Sequence, residues 1–292
     1  MKMKLFVKIF VKKLVASFLS VLNWSKVGRF LQSEIVNSSM QMQKTVQHNG
    51  CLLSFTTPNS LNYFRADSFS TKEPETLEWI DLIPRGSVLW DIGANVGLYS
   101  CYAAKQRNCM VFAFEPSVFN LELLARNIFI NGLVDKVTIV PLPLSDELRT
   151  SSLNMSSTDW GGALSTFGQS YGHDGKELEN VFEFSTIGLS MEDAAQRLQL
   201  PTPDYIKIDV DGIEHLVLKG GGKILQKVKG VLIEVNDDFK EQADGCHKSL
   251  LDAGLKLIEK RHSDMFANTD SFGGGKVWNQ IWSRENNNDK TN

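Results

Sequence analysis

Cysteine is scarce in this 292-residue chain, acidic residues are missing from its first 33 positions, and no apolar run is long enough to span a bilayer. The four cysteines (Cys51, Cys101, Cys109 and Cys246) form no CxxC pair. That spacing excludes a disulfide scaffold, and Cys101 and Cys109 flank a core helix where reduced thiols act as small hydrophobes. Reduced cysteines suit a cytoplasmic enzyme. In the N-terminal segment the longest charge-free run, Leu14 to Ser25, is 12 residues, against the ~20 that a spanning helix needs. No small-residue cleavage pattern follows it. The missing acid leaves seven basic residues unopposed (Lys2, Lys4, Lys8, Lys12, Lys13, Lys26 and Arg29). The rest of the chain sets 24 Lys+Arg against 34 Asp+Glu, and so acidic a body excludes a phosphate backbone as the expected partner, so no nucleic acid is expected.

What is present divides into three stretches. Residues 1–45 read as a basic helical extension, 46–85 as a strand and helix lead-in, and 86–292 as the core. For the extension two readings stay open: an interfacial helix on the inner face of an anionic membrane, or a helix packed on the core or frayed. In the lead-in, Cys51–Phe55 and Leu61–Phe64 read as short strands about the turn cluster Thr57-Pro58-Asn59-Ser60, and Pro74 to Ile83 as a helix. Beyond it, Val88–Ile92, Val111–Phe114, Val137–Val140, Tyr205–Val210 and Val231–Val235 are buried-strand candidates. The helical stretches Val96–Lys105 and Val118–Asn131 separate the first three, with Ser117 as a cap for the second and Gly132 as its close. This alternation predicts an α/β fold with a Rossmann-like, mostly parallel, doubly wound sheet. Glu241–Ala253 reads as a late helix, and Leu255–Glu259 and Val277–Trp282 as closing strands, the last antiparallel. Ser151–Asn180 lacks periodicity and reads as a long functional loop.

The sharpest motif is the strand-to-helix turn from Asp91 through Gly93, Asn95 and Gly97. Glycine allows a tight turn with bare backbone against a ligand, and the helix N-terminus offers open N–H groups to an anion. A dinucleotide fingerprint would place glycine at 93, 95 and 98, whereas this chain has Asn95 and Leu98. The turn therefore suits a ligand with one carboxylate, such as the methionine moiety of S-adenosylmethionine. Glu115 lies 22 residues beyond Gly93, the spacing at which an acid takes ribose hydroxyls, and Pro116 stops its strand. Leu142, Pro143 and Leu144 predict an apolar wall for the base, with Ser145 or Asp146 at its polar edge.

Asp91–Gly97, Glu115-Pro116, Leu144-Ser145-Asp146, Ile206 to Glu214 and Leu218-Lys219-Gly220 together resemble the FkbM family of methyltransferases. The resemblance runs from about Glu75 to Arg284 and leaves out the basic helix. It implies a class I methyltransferase fold, S-adenosylmethionine as cofactor, and O-methylation of hydroxyls on sugars, polysaccharides or secondary metabolites. One departure is Asp211, where the family usually has Glu in its Asp-Val-Glu-Gly motif.

Methyl transfer to a hydroxyl requires the acceptor oxygen near attack distance and a group to take its proton. Carboxylates gather after the fourth and fifth strands: Asp209, Asp211 and Glu214, then Glu234 with Asn236. Crowding separates their pKa values, so one can act as base, with Asp209 the first choice and Asp211 and Glu214 alternatives. His262 after the sixth strand and His173 in the Gly-rich loop also lie within reach of an acceptor site, and Trp160 among small residues suits a sugar ring. Asp209 with Glu234 or Asn236 offers oxygen ligands to a divalent metal, although none is expected. Two other readings stay open: an NAD(P)-dependent oxidoreductase, and a cofactor-binding scaffold without catalysis.

Overall fold

In the computed structural model, which describes residues 2–262 and 276–284, the N-terminal extension is two helices rather than one. After α1 (Lys2–Leu22), the Ser25 hydroxyl oxygen accepts from the Gly28 amide at 2.9 Å and caps α2 (Lys26–Gln41). β1 (Gln43–His48) and β2 (Cys51–Thr56) form an antiparallel hairpin across Asn49-Gly50, both at positive φ. Leu61–Phe64, expected as a strand, lies instead in α3 (Ser60–Asp67). The Asn59 side chain accepts from the Asn62 amide at 2.8 Å, and this cap starts a helix where apolar residues alone suggested an extended run. α4 (Pro74–Leu82) then enters the core with proline in its first turn.

The first half of the main sheet comes from β3 (Val88–Ile92), α5 (Leu98–Arg107), β4 (Met110–Phe114), α6 (Val118–Ile130) and β5 (Val137–Val140). Ser117 precedes α6 as expected, but its hydroxyl makes no cap bond. The Glu115 carboxylate takes the Ser117 amide instead. The chain next builds a small antiparallel sheet, ordered β7-β6-β8, from β6 (Arg149–Met155), β7 (Ser165–Phe167) and β8 (Phe182–Gly188). This corrects the expectation of a structureless Ser151–Asn180: the serines and asparagine of β6 hid a strand whose Leu153 and Met155 are buried.

α7 (Met191–Arg197), β9 (Tyr205–Ile208), α8 (Glu214–Lys219), α9 (Gly222–Leu225), β10 (Gly230–Asn236), α10 (Lys240–Asp252), β11 (Lys256–Arg261) and β12 (Val277–Ser283) complete the chain. The main sheet has the order β11-β12-β10-β9-β3-β4-β5, and within it β12 pairs antiparallel to both neighbours. The pairs β10/β9, β9/β3, β3/β4 and β4/β5 are parallel, which confirms the mostly parallel, doubly wound α/β sheet. Strand alternation sends Trp90 and Ile92 into the core that holds α8 and α10, and Leu89 into the core that holds α4 and α5. Successive connections leave β3 on one side for β4 and reach β9 on the other. The crevice outside the carboxyl ends of β3 and β9 is thus the topological switch point, where open α/β sheets bind ligands.

Candidate active site

Two cavities open at this switch point and share Gly93, Asn95, Gly162, Ala163, Asp209 and Asp211. The first, about 550 Å³ with its mouth, runs from Gly93 over Glu115 to Leu142, Pro143 and Leu144. Gly93 (φ +84°) and Gly97 (φ +82°) make the turn between β3 and α5. A Cβ on Gly93 would collide with the Asp209 carbonyl, and one on Gly97 with the Leu124 side chain. Gly93 therefore seats the turn against the end of β9. Gly97 serves the packing of α5 on α6 and, against expectation, does not line either cavity.

Glu115, 5% exposed, receives the Asn95 amide on one carboxylate oxygen at 2.8 Å and the Ser117 amide on the other at 2.7 Å. Burial pushes its pKa up to about 7, with those two N–H groups partly offsetting the shift. Glu115 lines the first cavity, and a carboxylate with acceptor capacity beyond its two amides suits a ribose diol. No described side chain caps α5, whose first residues Leu98 and Tyr99 line the second cavity, so its leading N–H groups can receive a carboxylate. Together with the apolar wall at Leu142–Leu144, these features fit S-adenosylmethionine. Ser145 is fully buried with its amide on Leu189, and Asp146 pairs with Lys219 (3.1 Å) and Arg149 (3.6 Å). Neither lines the cavity. Asp91 lies beneath the floor, where it accepts from the Ser100 hydroxyl at 2.5 Å.

The second cavity, about 1930 Å³ with its mouth, is rimmed by Leu61, Phe64 and Arg65 and floored by carboxylates. Asp209, Asp211 and Glu234 reach it, as do His173 and His262. Burial, with the Asp209 charge next, pushes Asp211 up to about 6, while its carboxylate takes the Leu164 and Ser165 amides at 2.7 and 3.3 Å. Burial, then Asp209 and Glu73, holds Glu234 well above the usual carboxylate range. Glu214 does not line either cavity. Its carboxylate ties the Val210 and Gly212 amides and the Gln242 side chain, and burial raises it to about 7. Asn236 also lies outside, donating to the His173 carbonyl at 3.1 Å. Among the described residues no group of three or more His, Cys, Asp or Glu side chains is set to hold a metal ion.

Lys207, Lys72 and Glu73 are among the polar residues of this cavity that escaped the sequence reading. Lys207, 3% exposed, sits 3.2 Å from Asp209 and 3.8 Å from Asp91, and its ammonium lies 5.4 Å from the Tyr99 ring centre. Burial works against its charge, but Asp209, Asp91 and Glu73 outweigh that and raise its pKa. Lys72 and Glu73 pair just ahead of α4. Burial pushes Glu73 up, yet Lys72 and Lys207 prevail and bring it down to about 2. A lysine inside an apolar strand was a readable signal, because a buried ammonium must find carboxylates. Lys72-Glu73 resembled an ordinary surface pair.

Residues 157–164 cross the junction of the two cavities as a pinned strap. The Trp160 carbonyl accepts from Asn59 (3.0 Å) and Asn62 (2.6 Å), that of Gly161 from Arg65 (3.0 and 2.7 Å), and that of Gly162 from Asn95 (2.8 Å) and Asn120 (3.1 Å). The Trp160 indole, expected at the acceptor, instead packs with Met40, Val96 and Leu123 and fixes the strap to α2.

A sheet of this order, with an acid at the end of the second of its parallel strands, fits the class I methyltransferase fold. Residues 91–267 match the family model described as the methyltransferase FkbM domain, and the chain belongs to that family of S-adenosylmethionine-dependent methyltransferases. It is 31% identical over 149 residues to the hexuronic acid methyltransferase AglP of Haloferax volcanii, covering 51% of this chain and 56% of that protein. It is 25% identical over 159 residues to the methyltransferase sdnD of Sordaria araneosa, covering 47% of this chain and 61% of that one. The chain thus spans a little over half the length of these curated relatives. Among solved structures, M. jannaschii TYW2 in complex with AdoMet aligns with 83% of this chain and 87% of that chain, at 14% identity and a TM-score of 0.42. Family membership removes the NAD(P)-dependent oxidoreductase reading.

Proposed function

We propose that this methyltransferase acts on oxygen, at a hydroxyl of a sugar, a polysaccharide or a glycosylated secondary metabolite. The observation that carries the reading is the second cavity, lined by Asp209, Asp211 and Glu234 together with Leu61, Phe64 and Tyr99. Carboxyl groups pair with sugar hydroxyls, and apolar rings cover the C–H faces. The relative in Haloferax volcanii is named as a hexuronic acid methyltransferase, and Arg65 at this rim offers a cationic partner to a sugar carboxylate.

S-adenosylmethionine supplies an electrophilic methyl group on a sulfonium. The chain's own part is to hold the ribose at Glu115 and the carboxylate end at the start of α5. The negative potential of Asp209 and Asp211 then falls at the junction, where a positive centre is favoured. Asp209 accepts the proton of the attacking hydroxyl, and Lys207 keeps its carboxylate in place at 3.2 Å. Asp209→Asn should lower methyl transfer by about 10²–10⁴-fold. Its affinity for S-adenosylhomocysteine should stay within twofold of wild type, by calorimetry. Full turnover in that variant would remove Asp209 from the chemistry, and transfer of label to amines but not to sugars would end the O-methylation reading.

A further inference from the structure

The first two helices carry a surface that the catalytic site does not explain. α1 and α2 fold back on each other as a hairpin. The Gln32 side chain donates to the Leu19 carbonyl at 2.6 Å and Arg29 to that of Asn23 at 2.7 Å. Gly28 lies so close to Leu22 that a Cβ there would strike its backbone. The hairpin buries little else. Phe10, Leu14, Phe18, Trp24, Phe30 and Ile35 stand exposed, from 54% at Phe10 to 88% at Trp24. Phe10, Leu14, Phe18 and Val21 follow helical spacing and form one stripe along α1. Among the described residues no helix is long and apolar enough to cross a membrane.

We propose that this hairpin docks on an anionic lipid surface, its aromatic and aliphatic side chains entering the interface and its cations meeting the headgroups. Seven basic residues and no acid fall between Met1 and Ser33, with Lys13, Lys26 and Arg29 exposed beside the apolar side chains. A helix that is apolar on one side and cationic on the other lies in the interfacial plane, and one that meets both needs is favoured by anionic headgroups. A second copy of the chain is the poorer occupant, because it would bring an equally basic hairpin against the first. The root of the hairpin meets the catalytic domain at the strap. Met40 at the end of α2 packs on Trp160 of the strap, and Phe64 at the cavity rim is itself 49% exposed. The docking surface stands independently of the acceptor proposed above.

Sedimentation of the full-length chain with vesicles tests this. Wild type should co-sediment with vesicles of equal parts phosphatidylcholine and phosphatidylglycerol, bind poorly to phosphatidylcholine alone, and be released by salt. A variant with Phe10→Ser, Phe18→Ser, Trp24→Ser and Phe30→Ser, all exposed positions, should lose about tenfold or more in partitioning. Lys13→Glu with Lys26→Glu should lose the preference for the anionic vesicle. Both variants should keep wild-type affinity for S-adenosylhomocysteine, which shows that the core is folded. Wild type left in the supernatant would overturn the proposal, as would equal binding by the serine variant. So would a wild-type dimer that ignores vesicles and becomes monomeric in that variant.

Discussion

The proposed hold on the ribose gives Glu115 a pH signature. In the free protein burial holds its carboxyl near a pKa of 7, and a ribose diol is best received by the ionised form. Binding should therefore release a proton near neutrality. Affinity for S-adenosylhomocysteine should fall up to about tenfold per pH unit below 7 and level off above it. Glu115→Gln should flatten that profile and weaken binding, and an unchanged slope in the variant would assign the proton elsewhere. Lys207 carries a different burden, since it neutralises Asp91 on the floor while positioning Asp209. Lys207→Met leaves Asp91 buried without its cation and should cost about 3–5 kcal/mol of unfolding free energy, measured by urea denaturation. Of the individual site residues, Gly93, Asn95 and Glu115 were legible because a turn and a spacing define them. Lys72 and Glu73 were not, because only the tertiary fold brings the start of α4 to the ends of β9 and β10.

Among the elements, the strap over residues 157–164 is held at its carbonyls by side chains from α3, α6 and the Gly93 turn. Asn120 both donates to the Gly162 carbonyl and accepts the Gly161 amide at 3.0 Å. Asn120→Ala removes both bonds. Limited proteolysis within 157–164 should then speed up several-fold and the acceptor KM should rise, with global stability falling by about 1–3 kcal/mol. Equal cleavage rates would show that Asn59, Asn62, Arg65 and Asn95 hold the strap without Asn120. The buried strands were readable at this scale, since runs such as Val88–Ile92 stand between helical stripes. β6 and α3 were not. Serine obscured the alternation of β6, and one capping asparagine converted Leu61–Phe64 from strand to helix.

Across the whole molecule, buried acids set the pH dependence of the cofactor-free fold. Asp211 (about 6), Glu115 and Glu214 (about 7) all lie above their unfolded values, so the native state binds the extra protons. Their contribution is greatest below pH ~4.5 and is lost as pH rises toward 7. His215, lowered by burial, opposes this below its ordinary value, and Glu73 acts only near pH 4 and under. The melting temperature should thus rise as pH falls from 8 to about 5.5, by calorimetry without ligand. A flat profile would mean that these carboxyls open to solvent. The doubly wound sheet was legible from the alternation of strands and helices, whereas the division of its switch-point crevice into two cavities depends on the strap, which no periodicity announced.

One nucleoside is proposed to lie between Glu115 and Asp209. Calorimetric titration of S-adenosylhomocysteine into wild type, Glu115→Ala and Asp209→Asn tests it most directly. Saturable one-site binding to wild type and to Asp209→Asn, with at least about tenfold loss in Glu115→Ala, is the predicted result. No heat from the wild-type protein, or unaltered affinity in Glu115→Ala, would contradict it.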